Sequence, residues 1–200
     1  MRIVIALGGN ALLRRGEAPD IAVQSRNAAI AARSMAPLAA GHDILVTHGN
    51  GPQIGLLALQ ASGSAASSPM PLDVLGAESE GLIGYLLARA LIEALPGKPV
   101  LSVLTQVEVD ADDPAFRHPT KPIGPFYEPD AWRRIAAERG WVGVEDRGLM
   151  RRVVASPLPK KIVEREAIAR LWRSGVIPIC AGGGGIPVSR DSAGRLTGVE

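Results

Sequence analysis

The stretch that decides the fold is Ile44-Leu45-Val46-Thr47-His48-Gly49-Asn50-Gly51-Pro52-Gln53-Ile54-Gly55. It begins as an apolar run rich in the β-branched residues that strands favour, and it breaks at Gly49-Asn50-Gly51. A helical pattern follows, and Pro52 suits its first position because the missing N–H would have no partner there. The stretch therefore predicts a strand, a glycine loop and a helix whose free N-terminal N–H groups favour an anion such as phosphate.

A single loop of this kind is also typical of a plain turn, so the prediction depends on repetition. Gly8-Gly9-Asn10 follows the apolar residues 3–7, and the glycines at 182–185 follow the apolar residues 176–181. Helices between these strands indicate a mostly parallel sheet, whose strands all end at one edge. We expect the three loops to meet at that edge and to surround one anion with backbone N–H groups, the alternative being three unrelated turns.

Composition limits the class of protein. The chain has 200 residues, 46% hydrophobic and 21% charged, with a formal net charge of +2, which suits one domain with a sizeable core. It has no basic stripe with interleaved aromatics, so nucleic acid is not a favoured partner. Cys180 is the only cysteine, which excludes an internal disulfide framework and fits a reducing cytoplasm. No apolar run reaches the roughly 18 residues that would suggest a membrane span.

Between the loops the sequence predicts further regular elements. Helices are expected at residues 21–40, 72–95, 128–139 and 162–173. Pro37 should kink the first of them or open its last turn, and Asp73 is the expected N-cap of the second. Residues 99–104 are expected to form a strand, and the small polar residues 61–71 an exposed flexible connection. After Gly194 nothing resembles a closing helix or strand.

The character of the chain changes over residues 107–161, where proline, aspartate, arginine and aromatic residues increase. We expect a small protruding subdomain here, in which residues 141–144 and 152–154 could pair as strands. Lys121 stands on a stiff, proline-flanked loop and is the best candidate for the positive charge that phosphoryl transfer needs, although most lysines are simply solvated. His48 is at least as compatible with a buried histidine bonded to backbone as with a catalytic one.

These loops differ from two common nucleotide-binding motifs. The chain contains no Gly-Lys-Ser/Thr, and Gly-x-Gly-x-x-Gly does not follow the first strand. Asp110, Asp112 and Asp113 lack the spacing of a calcium loop, so we expect a polar turn there. No metal-ligating residues are predicted.

Six stretches, taken in order, carry a more specific pattern: Ala-Leu-Gly-Gly-Asn-Ala (6–11), His-Gly-Asn-Gly-Pro-Gln (48–53), Met-Pro-Leu-Asp (70–73), Leu-Thr-Gln-Val (104–107), Pro-Thr-Lys-Pro-Ile-Gly-Pro-Phe (119–126) and Gly-Gly-Gly-Gly-Ile-Pro (182–187). Together they resemble the carbamate kinases, a branch of the amino acid kinase fold. The resemblance covers essentially the whole chain, and the Pro-Thr-Lys-Pro-Ile-Gly block is specific to the branch. Small departures occur at Glu80 and Ala155, where the family commonly has glutamine and proline.

The resemblance implies a three-layer α/β/α sandwich with a mostly parallel open sheet and a small protruding subdomain that folds over carbamoyl phosphate. It implies reversible phosphoryl transfer between ATP and carbamate, giving ADP and carbamoyl phosphate, with Mg²⁺ accompanying the nucleotide. It also implies a cytoplasmic homodimer that often makes ATP in arginine catabolism.

By motif match, the first two loops would hold the phosphoryl and carbamoyl groups through Gly8, Gly9, Asn10, Gly49, Asn50 and Gly51. Lys121 would touch the transferring phosphoryl group, and the third loop would bind phosphate or nucleotide through Gly182, Gly183 and Gly184. Family members are about half as long again, and the nucleotide half with its adenine pocket is not in this sequence. Two alternatives therefore stay open: a catalytically incomplete fragment that binds carbamoyl phosphate, and another amino acid kinase acting on a carboxylate.

Overall fold

The computed structural model describes residues 1–14, 16–62 and 70–199. Eleven strands lie within these ranges: β1 (Arg2–Leu7), β2 (Asp43–His48), β3 (Val100–Ser102), β4 (Gln106–Glu108), β5 (Lys121–Tyr127), β6 (Gly143–Asp146), β7 (Leu149–Val154), β8 (Lys161–Ile162), β9 (Ile177–Ile179), β10 (Ile186–Arg190) and β11 (Leu196–Gly198). Five α-helices accompany them: α1 (Ile21–Gly41), α2 (Gly51–Ser62), α3 (Leu72–Ala94), α4 (Pro129–Arg139) and α5 (Arg165–Arg173).

The central sheet has the strand order β1-β2-β9-β3, and all of its neighbouring strands are parallel. In β9, Ile177 and Ile179 join the core cluster that α1 and α3 form with the sheet. Pro178 points to the opposite face and is also fully buried, where α5 packs on β2 and β9. β9 is thus covered on both faces, and the fold is the predicted α/β class with a parallel sheet.

Two further sheets flank the central one. The second has the order β11-β10-β4-β8, in which β10 and β4 are parallel and the outer pairs are antiparallel. The third is antiparallel, in the order β5-β7-β6, with an irregularity in β5 between Ile123 and Phe126. The predicted pairing of residues 141–144 with 152–154 is confirmed in outline, because Gly143 pairs with Arg152 and Val144 with Arg151.

Lys121 lies on a strand and not on a loop, which corrects the sequence prediction. It is the first residue of β5, and β5 is an edge strand of the third sheet. An edge strand tolerates Pro122 and Pro125, because a proline there need not supply a hydrogen bond to a second neighbour. The prolines that suggested a loop are therefore a sign of an edge strand.

Three predicted boundaries are wrong. The N-cap of α3 is Pro71 and not Asp73, since the helix begins directly after the proline and the Asp73 carboxylate lies against Gly198. Leu196–Gly198 forms a closing strand, because a turn with Gly194 at φ +84° folds it back onto β10. Residues 161–162 belong to β8, so α5 begins only at Arg165.

Two other expectations concern helix ends and a connection. The first helix continues through Pro37 and ends at Gly41. Of the predicted connection at residues 61–71, Ala61 and Ser62 belong to α2, and residues 63–69 lie outside the described ranges. Among the helices of the described ranges, none has the length and apolar character needed to cross a lipid bilayer.

Candidate active site

The three glycine loops meet at the carboxyl edge of the central sheet. Gly49 N donates to Leu7 O at 2.8 Å. A side chain at Gly49 would begin 2.7 Å from Gly9 N, so the first two loops are in direct contact. The third loop, a 3-10 turn over Gly182–Gly184, packs against the end of β2. The convergence expected from the sequence is therefore present.

Several glycines of the loops leave free space beside their backbone. A side chain added at Gly8, Gly51 or Gly184 would meet no atom within 4 Å. Gly51 also begins α2, so its N–H is one of the helix's free N-terminal donors. Asn10 belongs to the turn Gly9–Ala11, and its side chain lies outside the described part of the structure. The backbone of the first two loops is therefore accessible to a ligand at Gly8 and Gly51, because no described atom occupies the space beside it.

Asn50 is the polar side chain at the centre of this arrangement, and only 6% of it is exposed. Its Nδ2 donates to Ser79 Oγ at 2.8 Å, and Ser79 Oγ donates to Gly76 O at 2.7 Å. On its other side Asn50 abuts Gly183, where a side chain would collide with the amide group. Gly183 has φ +64°, a conformation that favours glycine, so two independent constraints demand glycine here.

Lys121 brings a positive charge to the same place. Its Nζ donates to Gly183 O at 3.0 Å, which connects the edge strand β5 with the third glycine loop. Among the described residues it forms no ion pair with a carboxylate, and burial lowers the pKa of its ammonium group. A cavity of about 80 Å³ lies between Lys121, Asn50 and Gly183.

His48 lies at the end of β2, buried beside the third loop. Its Nδ1 is 3.1 Å from Gly49 O, and because a carbonyl only accepts, Nδ1 carries the proton. Burial lowers the pKa of His48, which favours the neutral ring. A side chain at Gly182 would collide with this ring. Of the two interpretations left open by the sequence, the buried histidine bonded to backbone is the one observed.

Sequence reasoning missed two residues of α3 that support the loops. Ser79 holds Asn50, and the neighbouring Glu80 is 3% exposed and accepts a hydrogen bond from Thr105 N at 2.8 Å through Oε2. The pKa of Glu80 is raised to about 7, chiefly by burial and to a lesser degree by the nearby Glu164, while the Thr105 and Gly182 amides oppose the shift. A signal was available, because both residues fall within the apolar pattern of a long helix.

A larger cavity, of about 480 Å³, lies on another side of α2. It is lined by Leu56 of that helix, by Arg14 and Glu17 of the loop before α1, and by Phe126 and Arg151 of the third sheet. None of the predicted site residues lines it. The convergence of loops, amide and lysine therefore assigns the candidate site to the smaller cavity.

No metal site is formed by the described residues: they contain no group of three or more His, Cys, Asp or Glu side chains arranged to hold an ion. Asp110 forms an ion pair with Lys160 at 2.6 Å and accepts from Asp112 N, and Asp113 accepts from Ala115 N. These aspartates make the polar turn that the sequence predicted.

The chain is similar to known proteins over almost its whole length. The sequence profile of the amino acid kinase family matches residues 1–198. The chain is 52% identical to the carbamate kinase of Rhizobium meliloti, over 100% of this chain and 63% of that protein, and 50% identical to that of Haemophilus influenzae, over 100% and 65%. It thus spans less than two thirds of these curated relatives.

Solved structures are similar over nearly the whole chain. The carbamate kinase from Giardia lamblia bound to citric acid superposes with a TM-score of 0.92 at 40% identity, over 99% of this chain and 66% of that one. The same enzyme bound to AMP-PNP superposes with a TM-score of 0.84 at 39% identity, over 99% and 65%.

Proposed function

This chain belongs to the amino acid kinase family, and we propose that it carries the part of a carbamate kinase that binds carbamate and carbamoyl phosphate. The reaction is reversible phosphoryl transfer between ATP and carbamate, which gives ADP and carbamoyl phosphate. The relatives that support this proposal are carbamate kinases that are 52% and 50% identical over the full length of this chain.

The observation that carries the proposal is the contact of Lys121 Nζ with Gly183 O, beside Asn50 and among three glycine loops. Phosphoryl transfer requires donors and a cation that neutralise the equatorial oxygens of the moving group, and little covalent chemistry from the protein. Here backbone N–H groups supply the donors and Lys121 the cation. The ammonium group rests on a neutral carbonyl, so a phosphoryl oxygen that replaces the carbonyl gains a charge-assisted hydrogen bond.

The proposed roles follow the loops. Gly8, Gly9, Asn10, Gly49, Asn50 and Gly51 hold the carbamoyl and phosphoryl groups. Lys121 contacts the phosphoryl group in transfer, and Gly182, Gly183 and Gly184 face the phosphates of the nucleotide. Because the described residues form no metal cluster, we assign no ligands for Mg²⁺ and propose that it arrives on the phosphates of ATP or ADP.

The setting we propose is a cytoplasmic homodimer that serves arginine catabolism, usually in the direction of ATP. Exposed apolar side chains on α3 support the dimer: Val74, Tyr85 and Ile92 are 38%, 58% and 53% exposed and lie along one stripe of the helix. A second copy would remove such a stripe from water. Sedimentation at several concentrations tests this, since Tyr85→Glu should shift the chain toward the monomer.

The experiment that tests the function measures ATP formation from carbamoyl phosphate and Mg-ADP. The 200-residue chain is compared with Lys121→Ala and with Lys98→Ala, which removes an exposed lysine after α3. We expect the chain and Lys98→Ala to bind carbamoyl phosphate equally well and Lys121→Ala to bind it more weakly, and any ATP formation should disappear only in Lys121→Ala. Equal activity in Lys121→Ala would contradict the role of this lysine.

The alternatives give different results in the same assay. Binding of carbamoyl phosphate without ATP formation would identify a catalytically incomplete binding fragment. Phosphorylation of glutamate or aspartate, with none of carbamate, would identify a kinase for a carboxylate substrate.

A further inference from the structure

Glu80 lies under two of the loops that end the central strands. Its Oε2 accepts from Thr105 N at 2.8 Å, which fixes the turn after β3 to the middle of α3. Its Cγ is 2.9 Å from the point where a Gly182 side chain would begin, so the same side chain supports the third glycine loop. One carboxyl group therefore contacts both segments.

The hydrogen bonds around Thr105 extend this support. Ala181 N donates to Thr105 Oγ1 at 2.8 Å, and Thr47 Oγ1 donates to Ala181 O at 2.9 Å. Ala181 has φ +53°, an uncommon conformation for a residue with a side chain, and these two bonds hold it there. Ala181 directly precedes Gly182 and Gly183, so the position of Thr105 bears on the residue that Asn50 and Lys121 contact.

Among the described residues no cation compensates a negative charge on Glu80, and only the Thr105 and Gly182 amides stabilise such a charge in part. Oε1 is fully buried and forms no hydrogen bond of normal geometry with any described residue. The titratable groups that face Glu80 are His48 from β2, Cys180 at the end of β9 and Glu164 before α5. The histidine is neutral, burial raises the pKa of the thiol to about 11, and Glu164 is itself acidic. An ionised Glu80 would be a buried charge without a cation, an arrangement that costs several kcal/mol in typical proteins.

We propose that Glu80 is a positioning residue: it holds Thr105 and the Gly182 loop through its contacts with them, and its protonated form lets the loop accept an anionic phosphoryl group that its ionised form would repel. Since Oε2 accepts from the Thr105 amide, the proton resides on Oε1. An ionised carboxylate would repel the incoming anion and draw water or a rearranged backbone toward Oε1. The proposal rests on the proposed function for the identity of the ligand. The contacts of Glu80 with Thr105 and the Gly182 loop do not depend on the identity of the ligand.

The test measures carbamoyl phosphate binding by calorimetry between pH 5.5 and 8.5 for three proteins: the chain itself, Glu80→Gln and Glu78→Gln. Glutamine keeps the acceptor for Thr105 N and cannot ionise, and Glu78 is an exposed glutamate on the same helix. We expect the affinity of the chain and of Glu78→Gln to fall about 5- to 10-fold across pH 7, in the range of typical couplings between sites. Glu80→Gln should hold its affinity, and because ligand ionisation is common to all three, the difference isolates Glu80.

Parallel pH profiles for the chain and Glu80→Gln would overturn the proposal. A second measurement decides the question if carbamoyl phosphate does not bind or if the Glu80→Gln protein fails to fold. In the ¹⁵N-glycine spectrum of the chain alone, the Gly182 and Gly183 amides should shift together with a midpoint near pH 7. If nothing binds carbamoyl phosphate but these shifts occur, the proposed function fails and Glu80 still controls the loop. If the two amides do not titrate, the inference about Glu80 is wrong.

Discussion

Asn50 Nδ2 donates to Ser79 Oγ at 2.8 Å, and this bond fixes which end of the amide group faces the third glycine loop. The serine is itself oriented, because its hydroxyl donates to Gly76 O one helical turn earlier. With the proton of Ser79 committed to the carbonyl, its oxygen can only accept from Asn50. A fully buried serine thus sets the orientation of a proposed ligand-binding amide.

We expect Ser79→Ala to weaken carbamoyl phosphate binding about tenfold, because a lost hydrogen bond costs about 1–1.5 kcal/mol and frees the Asn50 amide to rotate. Isothermal titration calorimetry measures the change. Ser34→Ala is the matched control, since Ser34 also bonds a helical carbonyl, Ile30 O at 3.0 Å, but is exposed on α1. Equal affinity in both variants would contradict the role of Ser79.

Gly183→Ala should abolish detectable binding of carbamoyl phosphate, because the new methyl group strains a φ of +64° and also collides with Asn50. Gly194→Ala provides the comparison: Gly194 has φ +84°, but no atom lies within 4 Å of the added group. The control should lose only about 1 kcal/mol of unfolding free energy from backbone strain and should bind normally. Urea denaturation and calorimetry on both variants separate strain from collision, and equal binding would show that the contact with Asn50 has no role.

Gly55→Ala should lower the unfolding free energy by about 3 kcal/mol, because the added methyl group would overlap Gly124 where α2 meets β5, and overpacking is costly. Gly81→Ala changes an exposed helical glycine with nothing near it, so it should raise stability by about 0.5–1 kcal/mol through helix propensity. Urea denaturation of the two variants gives both values. A Gly55→Ala variant as stable as the unaltered chain would show that the contact between α2 and β5 is not tight.

The stability of the chain should depend on pH through Glu80. Its pKa is about 7 in the folded protein and near 4.5 when unfolded, so the folded state binds the proton more tightly. The stabilisation of the fold by this proton is fully present below pH 4.5 and is lost as the pH rises to 7. His48 works in the opposite sense, because its lowered pKa destabilises the fold as the pH falls below its usual 6.5.

The difference between the chain and Glu80→Gln isolates the glutamate from the histidine. From pH 5 to pH 8 the melting temperature of Glu80→Gln should rise by about 5–10 °C relative to that of the chain, because a pKa of about 7 against 4.5 changes the unfolding free energy by about 2–3 kcal/mol over this range. Thermal unfolding followed by circular dichroism measures it. Parallel melting curves across this range would mean that Glu80 is ionised at low cost.

The convergence of the loops could be predicted, whereas the contacts within the site could not. Each loop follows an apolar strand, and the carboxyl ends of parallel strands all lie at the same edge of the sheet. The partner of Lys121 depends on how an edge strand of another sheet is placed over Gly183, and local sequence does not encode such long-range placement. The apolar pattern of α3 indicates that Glu80 is buried, but its partner, the Thr105 amide, comes from a distant turn that local sequence does not place.

The prolines near Lys121 show how one residue type can mislead. Pro122 and Pro125 favour a stiff loop on sequence alone, but they lie in β5, an edge strand whose outer side needs no N–H donors. Leu196–Gly198 was overlooked because a strand of three residues is too short for its periodicity to be visible, and it forms only when Gly194 turns the chain back.

The backbone contact between Gly55 and Gly124 determines how far Lys121 can reach. Gly55 lies one turn into α2 from Gly51, and Gly124 lies three residues along β5 from Lys121. Because no side chain separates these two backbones, the backbone of Lys121 is held at a nearly fixed position relative to the start of α2. Only the four methylene groups of the lysine can adjust, so the ammonium group can follow the proposed phosphoryl ligand over a few ångströms while the backbone of Lys121 stays in place.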